Sequence, residues 1–227
     1  NIKTVEFDGH LASSRLISGK LHIIQQFLPD LPPLEYTHDG TQEDLDRKIE
    51  ANKAAMADVP LDQLIPYYRE IGDAPGSPAD RPLVSPQNFY CPLSEDGGGT
   101  VTTVVSFDLD DPELGFASVG IVANAHIVYA STQALYIATH KYDAEILSLD
   151  FGADRAKEAT LYKFGLTGQA VEYVGGGSID GWILNQFSLG EYQDVLRVAT
   201  TTGHVWDSTS RNHVYCLEME EQTLETI

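Results

Sequence analysis

An all-β fold built from repeated four-stranded antiparallel units follows from three observations in this 227-residue sequence. The stretch 160–203 alternates apolar and polar residues in four short runs, 161–166, 170–174, 182–189 and 195–201, with turn-forming residues between them. Runs of the same character recur on both sides of it. Laid side by side they fall into quartets with a period of roughly 50 to 60 residues once 28–99 is set aside, which is the signature of β-propeller blades.

The strands take their places in order. Residues 3–7 form a leading strand, suited to the outer position of a preceding blade. The first strands of three full blades are LASSRLI, HIVYAS and WILNQFS, and the second strands are KLHIIQQF, ALYIATHK and VLRVATTT. The third strands are TVVSFDL, ATLYKFGL and HVYCLEME. The fourth are FASVGIVA, AVEYVGGG and the terminal QTLETI. Ser18-Gly19 and Thr132-Gln133 make tight links, and Asp110-Asp111-Pro112 a longer one.

Two segments break the pattern. After Leu28-Pro29 the period becomes helical over 41–56, with Thr41 as cap, Asp44 three residues on, and Leu45, Ile49 and Met56 near one face. A second short helix starts at Pro60, carries Leu61, Leu64 and Ile65, and is stopped by Pro66. Residues 74–91, rich in Pro, Gly and Ser, form a loop, and Gly97-Gly98-Gly99 closes the excursion. The second break, 143–158, is polar, with a helical turn expected over 153–159.

The domain plan is therefore 1–27 and 100–227 as one discontinuous propeller domain, with 28–99 a helical and loop insertion between the second and third strands of the first full blade. Both insertions leave the blades on one face, so the helical one is expected to cover that face as a lid or partner surface. Three blades fall short of the four or so that close a propeller, so the expectation is an arc of something larger or closure by association, with apolar end faces uncovered.

Composition bounds the function. Fourteen Lys and Arg against 34 Asp and Glu give a net charge of −20. No basic stripe is present to neutralise nucleic-acid phosphates or an anionic membrane surface. No apolar run approaches a membrane span. Cys91 and Cys216 lie far apart without zinc-site spacing, which leaves free thiols and one disulfide equally open.

At 181–203, GWILNQFSLGEYQDVLRVATTTG, and at 101–113 and 128–142, the chain resembles the secreted microbial proteins whose C-terminal part is a β-propeller distantly related to WD40 repeats. The segments 185–188 and 196–202 carry the resemblance most specifically. It implies a propeller and a secreted, cell-surface or periplasmic setting. It implies no reaction and supplies no catalytic residues.

The chemistry available is sparse. Asp108, Asp110 and Asp111 are oxygen donors for calcium in principle, yet Glu113 stands where an EF-type loop needs glycine, which favours an aspartate-rich turn. Gly175-Gly176-Gly177-Ser178 lacks the lysine and helix of a phosphate loop and suits a strand end or bulge. His10, His22, His38, His126, His140, His204 and His213 form no HExxH, and no GxSxG supplies a nucleophile. Trp182 and Trp206 are favoured as packing residues over sugar platforms.

One constellation stands out: Gly9-His10, Ala125-His126 and Gly181-Trp182 begin equivalent first strands, with Asp8, Asn124 and Asp180 just before them. In a propeller these positions crowd the channel mouth, where His10, Asn124, His126, Asp180 and Trp182 are candidate ligand-binding residues, beside the alternative that they only fix blade-to-blade turns. The leading expectation is a non-enzymatic, secreted or surface-exposed scaffold or binding module for a protein, peptide or glycan. The alternatives are an extracytoplasmic hydrolase acting on saccharide or peptide at the same mouth, and a calcium-stabilised surface-adhesion protein.

Overall fold

Alternation along the central strand 134–141 explains how the molecule is layered. In ALYIA, Ala134, Tyr136 and Ala138 point to one core, while Leu135 and Ile137 point to another. A strand apolar on both faces has to lie in a sheet packed on both sides. The computed structural model describes residues 4–35, 37, 40–71, 80–91, 99–141, 158–166, 170–203 and 208–227, and it shows that arrangement.

The first blade is β2 (His10–Ile17), β3 (Lys20–Phe27), β7 (Val101–Asp108) and β8 (Phe116–Val122), antiparallel in that order. The second is β9 (Ile127–Ala130), β10 (Ala134–Lys141), β11 (Glu158–Gly165) and β12 (Glu172–Asp180). The third is β13 (Leu189–Tyr192), β14 (Val195–Thr202), β15 (Arg211–Glu220) and β16 (Thr223–Thr226). One core joins the first two blades, with Ile24, Val104 and Ile121 against Leu135, Ile137 and Phe164. The next joins the second and third, with Tyr136, Leu161 and Ile179 against Leu196, Val198 and Leu217.

The insertion does more than form helix and loop. α1 (Gln42–Ala57) begins where the sequence places it, with the Thr41 hydroxyl accepting from the Asp44 amide at 3.3 Å. It buries none of its residues; Asn52 bonds to Glu35 and Lys48 to the Thr37 carbonyl of the preceding segment, and Lys48 also pairs with Asp44 at 3.0 Å. After the short α2 (Leu61–Leu64), the segment adds β4 (Tyr67–Ile71) and β5 (Arg81–Pro82), which pair with β1 (Thr4–Phe7) as a separate sheet. It then adds β6 (Phe89–Tyr90), which runs parallel to β8 as a fifth strand of the first blade.

The small sheet covers the outer part of the first blade's free face. Phe7 packs edge-on to Phe107 and Phe116 at 6.2 and 5.9 Å, and Tyr68 meets Phe116 at 4.9 Å. Such aromatic contacts are worth about 1 kcal/mol each beyond the area they bury. At the opposite end, the outward face of the third blade carries Val214, 73 % exposed, beside Tyr192 and Ile227.

Two expectations change. The first strand of the third blade is not 182–189: Trp182 sits in an isolated bridge with Thr201, Gln186–Ser188 is a 3-10 turn, and pairing resumes at Leu189. Alternation in WILNQFS suggested a continuous strand, but the Asn185 side chain accepts from the Phe187 amide at 2.9 Å and curls the chain out. The fourth strand of the second blade does not stop at the glycines but runs on to Asp180, with a bulge between Lys163 and Phe164. Cys91 is exposed and Cys216 half-buried, and both are free thiols. The helical turn expected over 153–159 falls outside the described residues as far as 157, and Glu158 and Ala159 are already strand. His38, His204 and Trp206 also lie outside them.

Candidate functional site

Equivalent glycines set the start of the first strands. A β-carbon on Gly9 would lie 2.4 Å from the Gln26 carbonyl oxygen, and one on Gly181 would lie 2.7 Å from that of Thr201. Both residues have φ above +90°, where a side chain is strained in any case. These close approaches seat His10 beside Gln26 of β3, and Trp182 beside Thr201 of β14.

From there a chain of polar contacts crosses the blades. His10 Nε2 lies 3.1 Å from Gln26 Oε1, the Gln26 amide donates to Asn124, and Asn124 lies 3.4 Å from His126 Nε2. His126 Nδ1 accepts from the backbone amide of His140 at 3.0 Å, and the two rings stack at 5.3 Å and 16°. His140 Nε2 in turn accepts from the Ile183 amide of the third blade at 3.1 Å. His10 and Asn124 thus share one hydrogen-bonded chain through Gln26, His126 stands beside Asn124 and is tied to the His140 amide, and Trp182 adjoins the far end.

Asp180 lies elsewhere, in a separate recess with Glu158, Ser178 and Tyr215. Its backbone carbonyl accepts from Thr200 at 2.8 Å.

Sequence reasoning missed the groove beneath this line. A recess of about 360 Å³ is lined by β2, the start of β9 and the 3-10 turn before β13, with Arg15, His126, Val128, Asn185, Gln186 and Phe187 among its walls. Arg15 binds all three blades at once: Ser13 Oγ at 2.6 Å and the Ser14 carbonyl at 2.8 Å within its own strand, the Val128 carbonyl at 3.0 Å, and Gln186 Oε1. Phe187 is 87 % exposed and Leu184 66 % exposed on the groove's edge. The only sequence signal was the out-of-pattern NQF within an otherwise alternating run.

A four-stranded repeat, sheets stacked face to face and the starts of all three blades converging on one groove already describe a propeller. A family model described as "Beta propeller domain" matches residues 1–227. The chain belongs to the beta propeller domain family. A search of curated proteins gave no match. Within this propeller no helix of the described residues is long and apolar enough to cross a membrane.

Both stacked histidines of the propeller favour the neutral form more than a free imidazole does. Burial lowers the His126 pKa, and burial together with the neighbouring His126 lowers that of His140 to about 4. Unfolded histidine titrates near pH 6.5, so the folded state resists protonation that the unfolded chain accepts. Stability is full above about pH 6.5 and falls as the pH drops toward about 4, by on the order of 2 kcal/mol after screening. Urea midpoints measured between those limits should decline in wild type and flatten in His140→Gln.

The aspartate turn is occupied by its own backbone. Asp108 accepts from the Asp110 amide at 3.1 Å, and Asp111 from Glu113 and Gly115 at 3.0 and 3.1 Å. Among the described residues no group of three or more His, Cys, Asp or Glu is placed to hold a metal ion. Chelation of divalent cations is expected to leave the melting temperature unchanged; a drop of several degrees would support the calcium-stabilised alternative instead.

Proposed function

We infer that this propeller is a non-enzymatic, secreted or surface-exposed binding module that receives its ligand where the first strands of the three blades converge. One observation carries the reading: a groove of about 360 Å³ shared by three blades, with an aromatic ring and a leucine exposed on its edge. Pockets of this size take small ligands or single residues of larger ones, and exposed apolar groups beside convergent polar ones favour binding. The polar line His10–Gln26–Asn124–His126 forms the rim above it, where it orders the strand starts around the mouth.

The test is a glycan and peptide array with the intact protein, run beside a broad hydrolase screen. Retained ligand without turnover, weakened by Phe187→Ala, is the expected outcome. Turnover of a saccharide or peptide would replace this reading with the hydrolase alternative.

A further inference from the structure

The geometry points to a carboxylate-bearing saccharide, such as a sugar chain ending in a uronate, as the ligand of this groove, with Arg15 holding the carboxylate and Phe187 the sugar face. The inference rests on the proposed binding role of the groove and adds the ligand's chemistry.

Charge supplies the first argument. In a chain of net charge −20, the groove holds a guanidinium whose partners among the described residues are all neutral: a hydroxyl, two backbone carbonyls and an amide oxygen. Elsewhere several cations sit against carboxylates, as Arg69 does with Asp80 at 2.7 Å and Lys163 with Glu191 at 3.3 Å. A guanidinium loses none of its charge by bonding to neutral oxygens, so the groove floor stays electropositive within an otherwise acidic surface.

Donor geometry supplies the second. Nη1 is spent on Ser13 and Ser14, but Nη2 shares its hydrogens between the Val128 carbonyl and Gln186 Oε1, and Nε makes no hydrogen bond to a described residue. Nε and Nη2 form the side edge of the fork, which pairs with both oxygens of a carboxylate. Gln186 is exposed and sits on a short 3-10 turn, so its amide oxygen marks the place that one ligand oxygen takes when the side chain swings away.

The other walls of the groove suit the rest of the ligand. Phe187, on the same turn, presents an almost fully exposed ring, and Asn185, Ser13 and His126 line the groove nearby. A sugar has apolar C–H faces that pack on an aromatic ring and hydroxyls that meet amides and imidazole. A flexible peptide terminus offers the carboxylate but not the rigid face.

Calorimetric titration of chain 1–227 with a disaccharide ending in glucuronate, and with its glucose-ended counterpart, tests this. Wild type should bind the charged sugar at least about tenfold more tightly, with the advantage shrinking as salt rises. Arg15→Gln should erase the advantage, and Phe187→Ala should weaken both sugars. If Arg15→Gln lowers the melting temperature too far to titrate, Arg15→Lys decides the matter. It keeps the charge and loses the fork, so the advantage should fall several-fold, and an undiminished advantage would contradict the carboxylate pairing.

Equal affinity for the two sugars, still weakened by Phe187→Ala, would overturn the carboxylate assignment and leave the groove as the binding site. Binding indifferent to both substitutions would overturn the groove as well. Preference for a peptide with a free C-terminal carboxylate, or no binding of either sugar, would overturn the saccharide assignment.

Discussion

Replacing Glu191 with alanine is expected to lower the unfolding free energy by about 3 kcal/mol, the size typical of breaking a buried ion pair from one side. Its side chain, 3 % exposed, lies in the seam between the second and third blades. There it accepts from the Tyr136 hydroxyl at 2.6 Å, from Ser131, and from Lys163 at 3.3 Å. The Tyr129 hydroxyl accepts from its backbone amide at 2.9 Å. Removing the carboxylate leaves the Lys163 ammonium and the Tyr136 hydroxyl without that acceptor inside the seam, and unpaired buried donors cost more than the pair gained.

Burial alone would raise the pKa of Glu191, but hydrogen bonds from Ser131 and Tyr136 and the charge of Lys163 outweigh it and hold the carboxyl below its usual range. A lowered acid contributes stability that is present above the unfolded value near 4.3 and is lost as the pH falls through the folded one. Wild type should therefore lose its advantage over Glu191→Gln only below about pH 4, a window beneath that of the histidines. Urea melts at pH 7 and pH 3 check this. The double variant Glu191→Leu with Lys163→Met should recover at least about 1 kcal/mol of the loss, since apolar pairs of similar volume often replace ionic ones without penalty.

Gly175→Ala is expected to cost about 3 kcal/mol, at the upper end for forcing extra volume into a packed site. A β-carbon there would sit 2.1 Å from the Gln222 carbonyl oxygen, and one on Gly177 would sit 2.4 Å from that of Leu224. The obstacle is backbone, so no rotamer change relieves it. The approach is what lets the Gly176 amide donate to Gln222 at 3.1 Å and tie the outer strands of the second and third blades together. Amide exchange should show protection lost first at Gly176 and across β16. A change below about 0.5 kcal/mol would mean that the outer seam is not closed in this way.

The blades were legible because their pattern is local. Alternation in ALYIATHK and VLRVATTT, with glycine or paired polar residues at the links, needs no knowledge of distant parts of the chain. The Thr41 cap was legible for the same reason. What escaped depends on contacts far apart in sequence. Arg81-Pro82 is too short and too proline-like to suggest a strand, yet the edge of β4 accepts it at Tyr67 and Tyr68.

The glycines 175–177 read as a strand end or bulge, and a register shift does lie there; their close approach to Gln222 and Leu224 was hidden because close packing and flexibility use the same residue. In the candidate site, the spacing of Gly9-His10 and Gly181-Trp182 was visible, and the line from His10 to His126 follows it. Asp180 joined that set by position alone, and its carboxylate belongs to another recess. Arg15 gave no signal at all, since its partners lie 113 and 171 residues away.

Everything proposed for the groove requires β2, the start of β9 and the turn before β13 to meet around it, and Arg15 with Gln186 is a contact between the first blade and the third. A double-mutant cycle, Arg15→Ala and Gln186→Ala singly and together, measures it through unfolding free energies. The arrangement described here predicts a coupling of about 1 kcal/mol, as for a charged hydrogen bond on a partly open surface. Additive effects, with coupling indistinguishable from zero, would place the two side chains apart and contradict the shared groove.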